Sequence, residues 1–297
     1  CIHNRAELEE AVKVLNFPVI LKAVDLMGSR GIFRCDTKEE VFTHYADTMN
    51  ATGKDYCLLE EFIEGTMLGC EAMLSKGKLL YCLPNNIENY PAHVPTPIGH
   101  SVPYKKQDIL GEEVQKQVLL AIQALGMDNC PVNCDLMEKD GKIYVIEITG
   151  RAGGNCLPEM VGIYYGIDYY EAIVRLAMDM QAEELFQDQK NRFQNAAQRK
   201  CGERPENTDG NLNRVTPNLS HILTSDRDGI LKAIHNDNEA SPDLLDLSFN
   251  VEPGEEIRHY ENGRDRLGQV IICGETLDTC EQRLNEVLSK LNIEFIS

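Results

Sequence analysis

The segment at residues 130–154 most constrains the fold, because it predicts a β-hairpin followed by a glycine-rich turn. Two short apolar runs flank residues 139–142, and the second run, residues 143–148, is rich in β-branched and aromatic side chains. Asp135 interrupts the first run and Glu147 the second, where a half-buried strand usually carries an apolar side chain. A buried carboxylate is costly unless it is paired or binds a metal, so both acids are candidates for a binding site.

Strand parity decides whether Asp135 and Glu147 can act together. Successive side chains of a strand point to opposite faces, so a two-residue turn at Asp140-Gly141 would put the two acids on opposite faces of the hairpin. A connection of odd length would put them on one face. We expect the odd connection.

The residues around the two acids indicate a possible ligand. With Asn133 and Thr149 they would form an oxygen-rich face suited to magnesium, which prefers oxygen ligands in octahedral geometry. Arg151 follows the second strand, where a guanidinium can bind a phosphate through two parallel hydrogen bonds. The backbone amides of residues 152–154 predict an anion-binding nest beside it. From spacing alone, an ordinary hairpin with two partly exposed acids and a solvated arginine remains an equal alternative.

Composition limits the partners. The chain has 297 residues, enough for two domains and an ample core. Its formal net charge of −19 argues against nucleic acid and against an anionic membrane surface. Its 11 cysteines include no CxxC pair, which disfavours a zinc site. Their scattered positions in an acidic chain of this size predict a reducing, cytoplasmic environment.

Strand and helix patterns alternate along the rest of the chain. Strands are predicted at residues 18–25, 56–59, 66–74 and 78–83, and amphipathic helices at about 114–125, 167–180 and 276–291. The proline-rich residues 84–103 are predicted to be a long functional loop. Residues 183–214 are polar and predict a connection or insert.

Four blocks, in this order, resemble the ATP-grasp superfamily, in particular the branch of biotin carboxylase, the carbamoyl-phosphate synthetase large subunit and the L-amino acid ligases. They are FPVILKAVDLMGSRGI, LLEEFIEG, NCDLMEKDGKIYVIEITGRAGG and GRDRLGQVIICGET. The resemblance implies an α+β fold whose two lobes, with antiparallel sheets, clasp ATP, plus a C-terminal α/β extension. The implied parts are a lid subdomain at residues 1–62, a core subdomain with the metal site at 63–182, a polar connection at 183–214 and a C-terminal subdomain at 215–297 packed on the core.

The resemblance also assigns ATP-binding residues. Lys22 would lie on a lid strand and reach the α and β phosphates, as a directed point charge. The loop closing over the phosphates would consist of Gly28, Ser29, Arg30 and Gly31. The hinge would consist of Glu60, Glu61, Phe62 and Ile63, with adenine bound by the Glu60 carbonyl and the Ile63 amide. The alternatives are a lysine that reaches solvent, an ordinary turn and a strand end with solvated acids.

The resemblance also assigns metal-binding positions. Asp135 and Glu147 match the family's metal-binding carboxylates, and Arg151 matches the arginine that contacts the transferred phosphate or the substrate carboxylate. The implied cofactors are ATP and Mg²⁺, with Mn²⁺ as a substitute. Independently of the resemblance, the second substrate is expected to meet the loop at 84–103, with His100 as a candidate contact, and the turn Gly153-Gly154-Asn155. The alternative for His100 is a loop histidine that is only solvated.

Three features depart from the family pattern. Thr149 stands where the family usually has Asn, and a hydroxyl is a poorer metal ligand, which places a second magnesium in doubt. Met67 stands where many members carry an acid that holds the ribose. The family's N-terminal domain should precede Cys1, so we expect this sequence to be the C-terminal part of a longer enzyme.

The implied reaction is phosphoryl transfer from ATP to a carboxylate, followed by attack of an amine on the acylphosphate. The first hypothesis is therefore a carboxylate–amine ligase, with amino acids as candidate substrates. The alternatives are a bicarbonate-using enzyme like carboxylases or carbamoyl-phosphate synthetase, and an ATP-binding scaffold that has lost turnover. The expected partners are small-molecule carboxylates and amines, with no nucleic acid and no membrane; a homodimer is compatible with this hypothesis.

Overall fold

A computed structural model describes residues 1–26, 30–91, 96–186 and 215–296. They fall into two compact units, one of Cys1–Glu64, Asn89–Pro97 and Tyr260–Asp265, the other of Gly65–Glu88, Ile98–His259 and Arg266–Ser297. Helices combine with antiparallel sheets, so the predicted α+β class is confirmed. Gly28, Ser29 and most of the predicted connection at 183–214 lie outside the described residues. Across the described ranges, no helix has both the length and the apolar character needed to cross a bilayer.

The first unit is built on a three-stranded antiparallel sheet with two helices. Its elements are α1 (Arg5–Val14), β1 (Val19–Lys22), β2 (Ile32–Cys35), α2 (Lys38–Ala51) and β3 (Leu58–Glu61), with strand order β2-β1-β3. The side chains of Asn4 and Thr37 accept hydrogen bonds from backbone amides and so start the two helices. Val19 and Leu21 are buried in the core, so Lys22 points to the other face of β1.

An eight-stranded sheet organises the second unit. Its strands are β4 (Thr66–Ser75), β5 (Lys78–Tyr90), β6 (Thr96–Val102), β7 (Pro131–Lys139), β8 (Lys142–Thr149), β9 (Asn218–Leu223), β11 (Leu244–Phe249) and β13 (Gly268–Cys273). The order is β11-β13-β9-β6-β5-β4-β7-β8. The predicted C-terminal subdomain at 215–297 therefore shares the sheet of the predicted core. A second sheet holds β10 (Gly229–Asn236), β12 (Glu256–Ile257) and β14 (Leu291–Phe295) in the order β12-β10-β14.

Helices cover the faces of the large sheet. They are α3 (Gln107–Leu125), α4 (Leu157–Tyr165), α5 (Tyr169–Ala177) and α6 (Leu277–Ser289). Val114, Val118 and Ile122 of α3 recur every fourth residue and pack on one face of the sheet, against side chains such as Leu68. On the opposite face, Met73 packs with α4 and α5. Alternation along β4 then puts Gly69 and Glu71 on this second face, beyond the apolar cluster.

One expectation about secondary structure is wrong, and one helix was not predicted. The predicted loop at residues 84–103 is largely strand, because β5 extends to Tyr90 and β6 spans Thr96–Val102. The apolar alternation that marks a strand is missing there because the polar side chains of Asn85 and His100 are themselves buried. Helix α4 was not predicted, although Pro158 in its first turn is a recognised helix-start signal.

Candidate active site

Asp135 on β7 and Glu147 on β8 lie directly opposite each other. The hairpin turn itself has two residues, Asp140 and Gly141, with φ of 51° and 75°, as a type I′ turn requires. An unbroken ladder from this turn would pair Asp135 with Ile146. The register shifts between Asp135 and Leu136, so that Ile146 is an extra residue. The shared face is confirmed, but the expected odd-length connection is wrong, because a β-bulge supplies the odd residue.

The local electrostatics of this pair favour a cation. Asp135 is half-buried and Glu147 is exposed. Burial and the negative charge of Glu147 raise the pKa of Asp135 to about 6, while the nearby Arg151 guanidinium lowers it. A divalent ion would relieve the repulsion between the two acids, and their carboxylate oxygens are ligands that magnesium accepts. The donor set therefore fits Mg²⁺.

Additional metal ligands are few. Thr149 lies opposite Asn133 on the same face, and its hydroxyl donates to the Asn133 carbonyl at 3.4 Å. Within the described residues, no group of three or more His, Cys, Asp or Glu is placed to hold a metal ion. Magnesium commonly binds through one or two carboxylates and completes its shell with water and substrate phosphates. Two carboxylates are thus sufficient for a nucleotide-associated ion.

A row of residues crosses the sheet from this pair. Strand by strand it runs through Glu147, Asp135, Gly69, Asn85, His100 and Ser220. The Asn85 amide lies over Gly69, where a Cβ would be 2.6 Å from its Oδ1. The glycine therefore leaves room for this amide next to the carboxylates.

His100 is buried and uncharged in this row. Burial lowers the pKa of His100 to about 4. Its Nδ1 lies 2.9 Å from Oδ1 of Asn85. An amide oxygen only accepts, so Nδ1 carries the proton and Nε2 is left as an acceptor. His100 thus lies on strand β6 and not in a loop, and its side chain is on the same face of the sheet as the acid pair.

The turn after β8 carries Arg151, Gly153, Gly154 and Asn155. Nη1 of Arg151 donates to the Ala152 carbonyl at 2.7 Å. The Gly153 amide donates to Glu71 at 3.1 Å, so it is not free for the predicted anion nest. The Asn155 carbonyl accepts from the Ser220 hydroxyl at 2.8 Å, which connects the turn to β9.

Glu71 was not identified as a candidate site residue from the sequence. It lies on β4 opposite Asn133, and its side chain is completely buried. The signal that identified Asp135, an acid inside an apolar strand pattern, is also present around Glu71 in residues 66–74.

In the first unit, Lys22 forms an ion pair. Its Nζ lies 2.7 Å from Oε2 of Glu60, and the Lys22 side chain is 16% exposed. The Glu60 backbone pairs with Ile20 of β1. The lysine is therefore held by a neighbouring strand and does not extend freely into solvent, as one alternative supposed.

The segment after β3 is fixed to β1 by backbone and ring contacts. The Phe62 amide donates to the Pro18 carbonyl at 3.0 Å, and the Arg34 guanidinium lies 4.6 Å from the Phe62 ring centre. Glu61 accepts from Asn16 at 3.3 Å. Ile63, the residue after Phe62, is partly buried.

At the other end of β1, Arg30 and Gly31 precede β2. Gly31 has φ +67°, and a Cβ there would be 3.0 Å from that of Ala23. Its carbonyl accepts from the Ala23 amide at 2.9 Å. Both the positive φ and the close approach of Ala23 favour glycine at this position.

Comparisons with known proteins show which families and which solved structures this chain is similar to. The family model of the ATP-grasp domain matches residues 15–159, and the model of the L-amino acid ligase C-terminal domain 2 matches residues 221–295. Phosphoribosylglycinamide synthetase from Anaerococcus prevotii is 35% identical, with a TM-score of 0.71 over 99% of this chain and 68% of that chain. The L-amino acid ligase from Bacillus licheniformis is 17% identical, with a TM-score of 0.70 over 95% of this chain and 64% of that chain.

Uncharacterized protein y4rH from Sinorhizobium fredii is 24% identical over 294 residues, which are 95% of this chain and 54% of that protein. The chain thus spans about half the length of this curated relative.

Proposed function

Because the chain belongs to the ATP-grasp family, we propose that it is an ATP-dependent carboxylate–amine ligase that acts through an acylphosphate intermediate on amino acids. The predicted ATP-grasp fold is confirmed by these similarities. The observation that carries the proposal is the pairing of Asp135 with Glu147 across a β-bulge, near Arg151. Amino acids are favoured as substrates by the match of residues 221–295 to an L-amino acid ligase domain.

In this proposal Asp135, Glu147 and Thr149 hold Mg²⁺, for which Mn²⁺ can substitute. The bound ion would supply charge neutralisation at the ATP phosphates. Arg151 binds the transferred phosphoryl group or the substrate carboxylate, because a guanidinium matches both geometries with two hydrogen bonds.

ATP itself is assigned to the first unit's predicted residues. Lys22 exchanges its ion pair with Glu60 for the α and β phosphates. Adenine meets the backbone of the segment Glu60-Glu61-Phe62-Ile63, which the Phe62–Pro18 hydrogen bond holds in place. The phosphate-covering loop is assigned to Gly28, Ser29, Arg30 and Gly31, of which Arg30 and Gly31 are described.

The second substrate is assigned to His100 and to Gly153, Gly154 and Asn155. Nε2 of a neutral His100 accepts a hydrogen bond and therefore suits an ammonium or amide group of the substrate. Ser220 supports this assignment, because it connects the turn to the strand beside His100. A cytoplasmic location and a homodimeric assembly are further parts of the proposal, the second of which light scattering tests.

The test is ADP release by the complete protein with a panel of amino acids. We expect release to depend on Mg²⁺ and on a pair of amino acids. Dependence on bicarbonate would instead indicate a carboxylase-like or carbamoyl-phosphate synthetase-like enzyme. ATP binding without any turnover would indicate a scaffold.

Glu147→Gln tests the carboxylate pair directly. It removes one negative charge without changing the side-chain volume, so we expect ADP release to fall by at least about 100-fold. Glu138→Gln on the same hairpin is the matched control and should retain turnover. Unchanged turnover in Glu147→Gln, with circular dichroism as in the wild type, would contradict the role of this acid.

A further inference from the structure

Glu71 is an acid without a role in the function proposed above. It lies in the middle of β4, on the same face as Asp135, and its side chain has 0% exposure. Its neighbours along the strand are the apolar residues Cys70, Ala72 and Met73.

Its two oxygens contact two different parts of the site. Oε1 accepts from Nδ2 of Asn133 at 2.7 Å, and Oε2 accepts from the Gly153 amide at 3.1 Å. Asn133 is on β7, two residues before Asp135. Gly153 is in the turn, two residues after Arg151. One side chain therefore connects the strand of an acid to the turn of the arginine.

Glycine at position 153 is part of this arrangement. A Cβ there would be 2.5 Å from Cδ1 of Leu157 and 2.6 Å from Oε1 of Glu71. Real Cβ atoms essentially never approach so closely, so any side chain at position 153 would displace the side chains of Leu157 and Glu71 from their present positions.

Stability alone does not explain a carboxylate at this position. Burial raises the pKa of Glu71 to about 8, against the lowering effects of the Gly153 and Asn133 hydrogen bonds and of the Arg151 charge. A well-packed apolar side chain commonly replaces a buried ionisable side chain without loss of stability. The two directed hydrogen bonds are what an apolar residue would lack.

We propose that Glu71 is a positioning residue that holds the Arg151–Gly153 turn against β7 and so fixes the guanidinium relative to the Asp135–Glu147 pair. The kinetic consequence rests on the proposed function. The positioning of the turn does not rest on the proposed function, because the hydrogen bonds of Glu71 lie within the second unit and need no ligand.

The test compares Glu71→Gln and Glu71→Leu with Glu138→Gln and Glu138→Leu in the complete protein. Glu138 is a matched control because it accepts from a backbone amide, Gly141 at 3.0 Å, and from a side chain, Lys106 at 2.6 Å, towards the turn end of the same hairpin. Hydrogen–deuterium exchange reports on the Gly153 amide, and ADP release reports on turnover. Exchange in α3 shows whether each variant is folded.

We expect exchange at Gly153 to accelerate on the order of 10-fold in Glu71→Leu, which removes both acceptor oxygens, by less in Glu71→Gln, which keeps one, and not in the Glu138 variants. We expect kcat to fall roughly 10- to 100-fold with the KM for ATP within about twofold, because a small displacement of a reacting group is sufficient for such a loss. If Glu71→Leu does not fold, Glu71→Met decides, because methionine also lacks an acceptor oxygen and has nearly the volume of glutamate.

Unchanged exchange at Gly153 in a folded variant without an acceptor oxygen at position 71 would overturn the proposal whatever the activity. Faster exchange with unchanged kcat would also overturn it, because the turn would then not position a reacting group. If the wild-type protein releases no ADP with any substrate, the ligase function fails, whereas the exchange experiment still decides whether Glu71 holds the turn.

Discussion

At the residue scale, the site depends on a few side chains whose surroundings change their chemistry. Asp135 and Glu71 are acids with raised pKa values, and His100 is a histidine with a lowered one; burial is the largest cause in all three. Glu71 accepts two hydrogen bonds and His100 has one with Asn85, whereas Asp135 is influenced by the charge of the nearby Arg151. Lys22 differs, because it is held by the single acid Glu60.

Lys22→Ala should weaken ATP binding on the order of 10- to 100-fold, because it removes a charge that we assign to the phosphates and leaves Glu60 without its cation. Isothermal titration with a non-hydrolysable ATP analogue measures the affinity. Lys13→Ala is the control, since Lys13 is an exposed lysine that pairs with Glu10 on α1. Equal affinities in the two variants would remove Lys22 from the ATP site.

The buried His100 predicts a pH dependence of stability. Its pKa is lowered from 6.5 to about 4, so between these values the unfolded chain binds more protons than the folded one. The contribution of His100 is therefore fully present above pH 6.5 and is lost as the pH falls towards 4, by at most about 1.4 kcal/mol per pH unit.

Urea unfolding of the wild type and of His100→Gln at pH 7 and pH 5 measures this contribution. The wild type should lose more stability than the variant between the two values. A parallel loss in both proteins would show that His100 does not titrate as expected.

At the element scale, the β7–β8 hairpin shows how one residue determines which side chains meet. The turn at Asp140-Gly141 has the sequence and conformation of a two-residue type I′ turn. Only the extra residue Ile146 brings Glu147 opposite Asp135. The bulge thus aligns the carboxylates without altering the turn.

Deleting Ile146 and inserting an alanine between Ile146 and Glu147 test this register. The deletion restores a regular ladder from the two-residue turn in which Asp135 still faces Glu147, so ADP release should stay within about tenfold of the wild type. The insertion moves Glu147 by one further residue and should abolish release. Equal losses in both variants would mean that the bulge itself, and not the parity, is required.

At the scale of the whole molecule, each unit has its own core, and the large sheet receives helices on its faces. Helix α3 supports the strands of the site, because its buried side chains pack on the face of β4 and β7 that is opposite to the acids. The net charge of −19 belongs to this scale too, and does not prevent anion binding at a site with local cations.

Ile122→Ala should lower the free energy of unfolding by about 2–5 kcal/mol, because Ile122 is 1% exposed in the core below the site. Leu120→Ala on the same helix is the control, and it should change stability by less than about 0.5 kcal/mol, since Leu120 is 51% exposed. Denaturant titration measures both. Similar values for the two variants would contradict the assigned packing.

The α+β class came from the resemblance to the ATP-grasp superfamily, whereas the residues themselves determined the strands at 66–74 and 78–83, the helix containing Val118 and the pair of acids that interrupt an apolar hairpin. These are local patterns, since apolar periodicity and a misplaced carboxylate are visible within ten or twenty residues. The strands at 84–103 were missed because their inward side chains, Asn85 and His100, are polar and hide the alternation.

The tertiary structure alone decided the bulge at Ile146, the row from Glu147 to Ser220 and the contact of Glu71 with Gly153. A bulge leaves no mark on composition, because its extra residue is recognised only against the partner strand. Glu71 and Gly153 are far apart in sequence, and only the strand order β4-β7-β8 brings them together. Which side chains share one face of a sheet is a property of strand register, and register is set by partners that the local sequence does not contain.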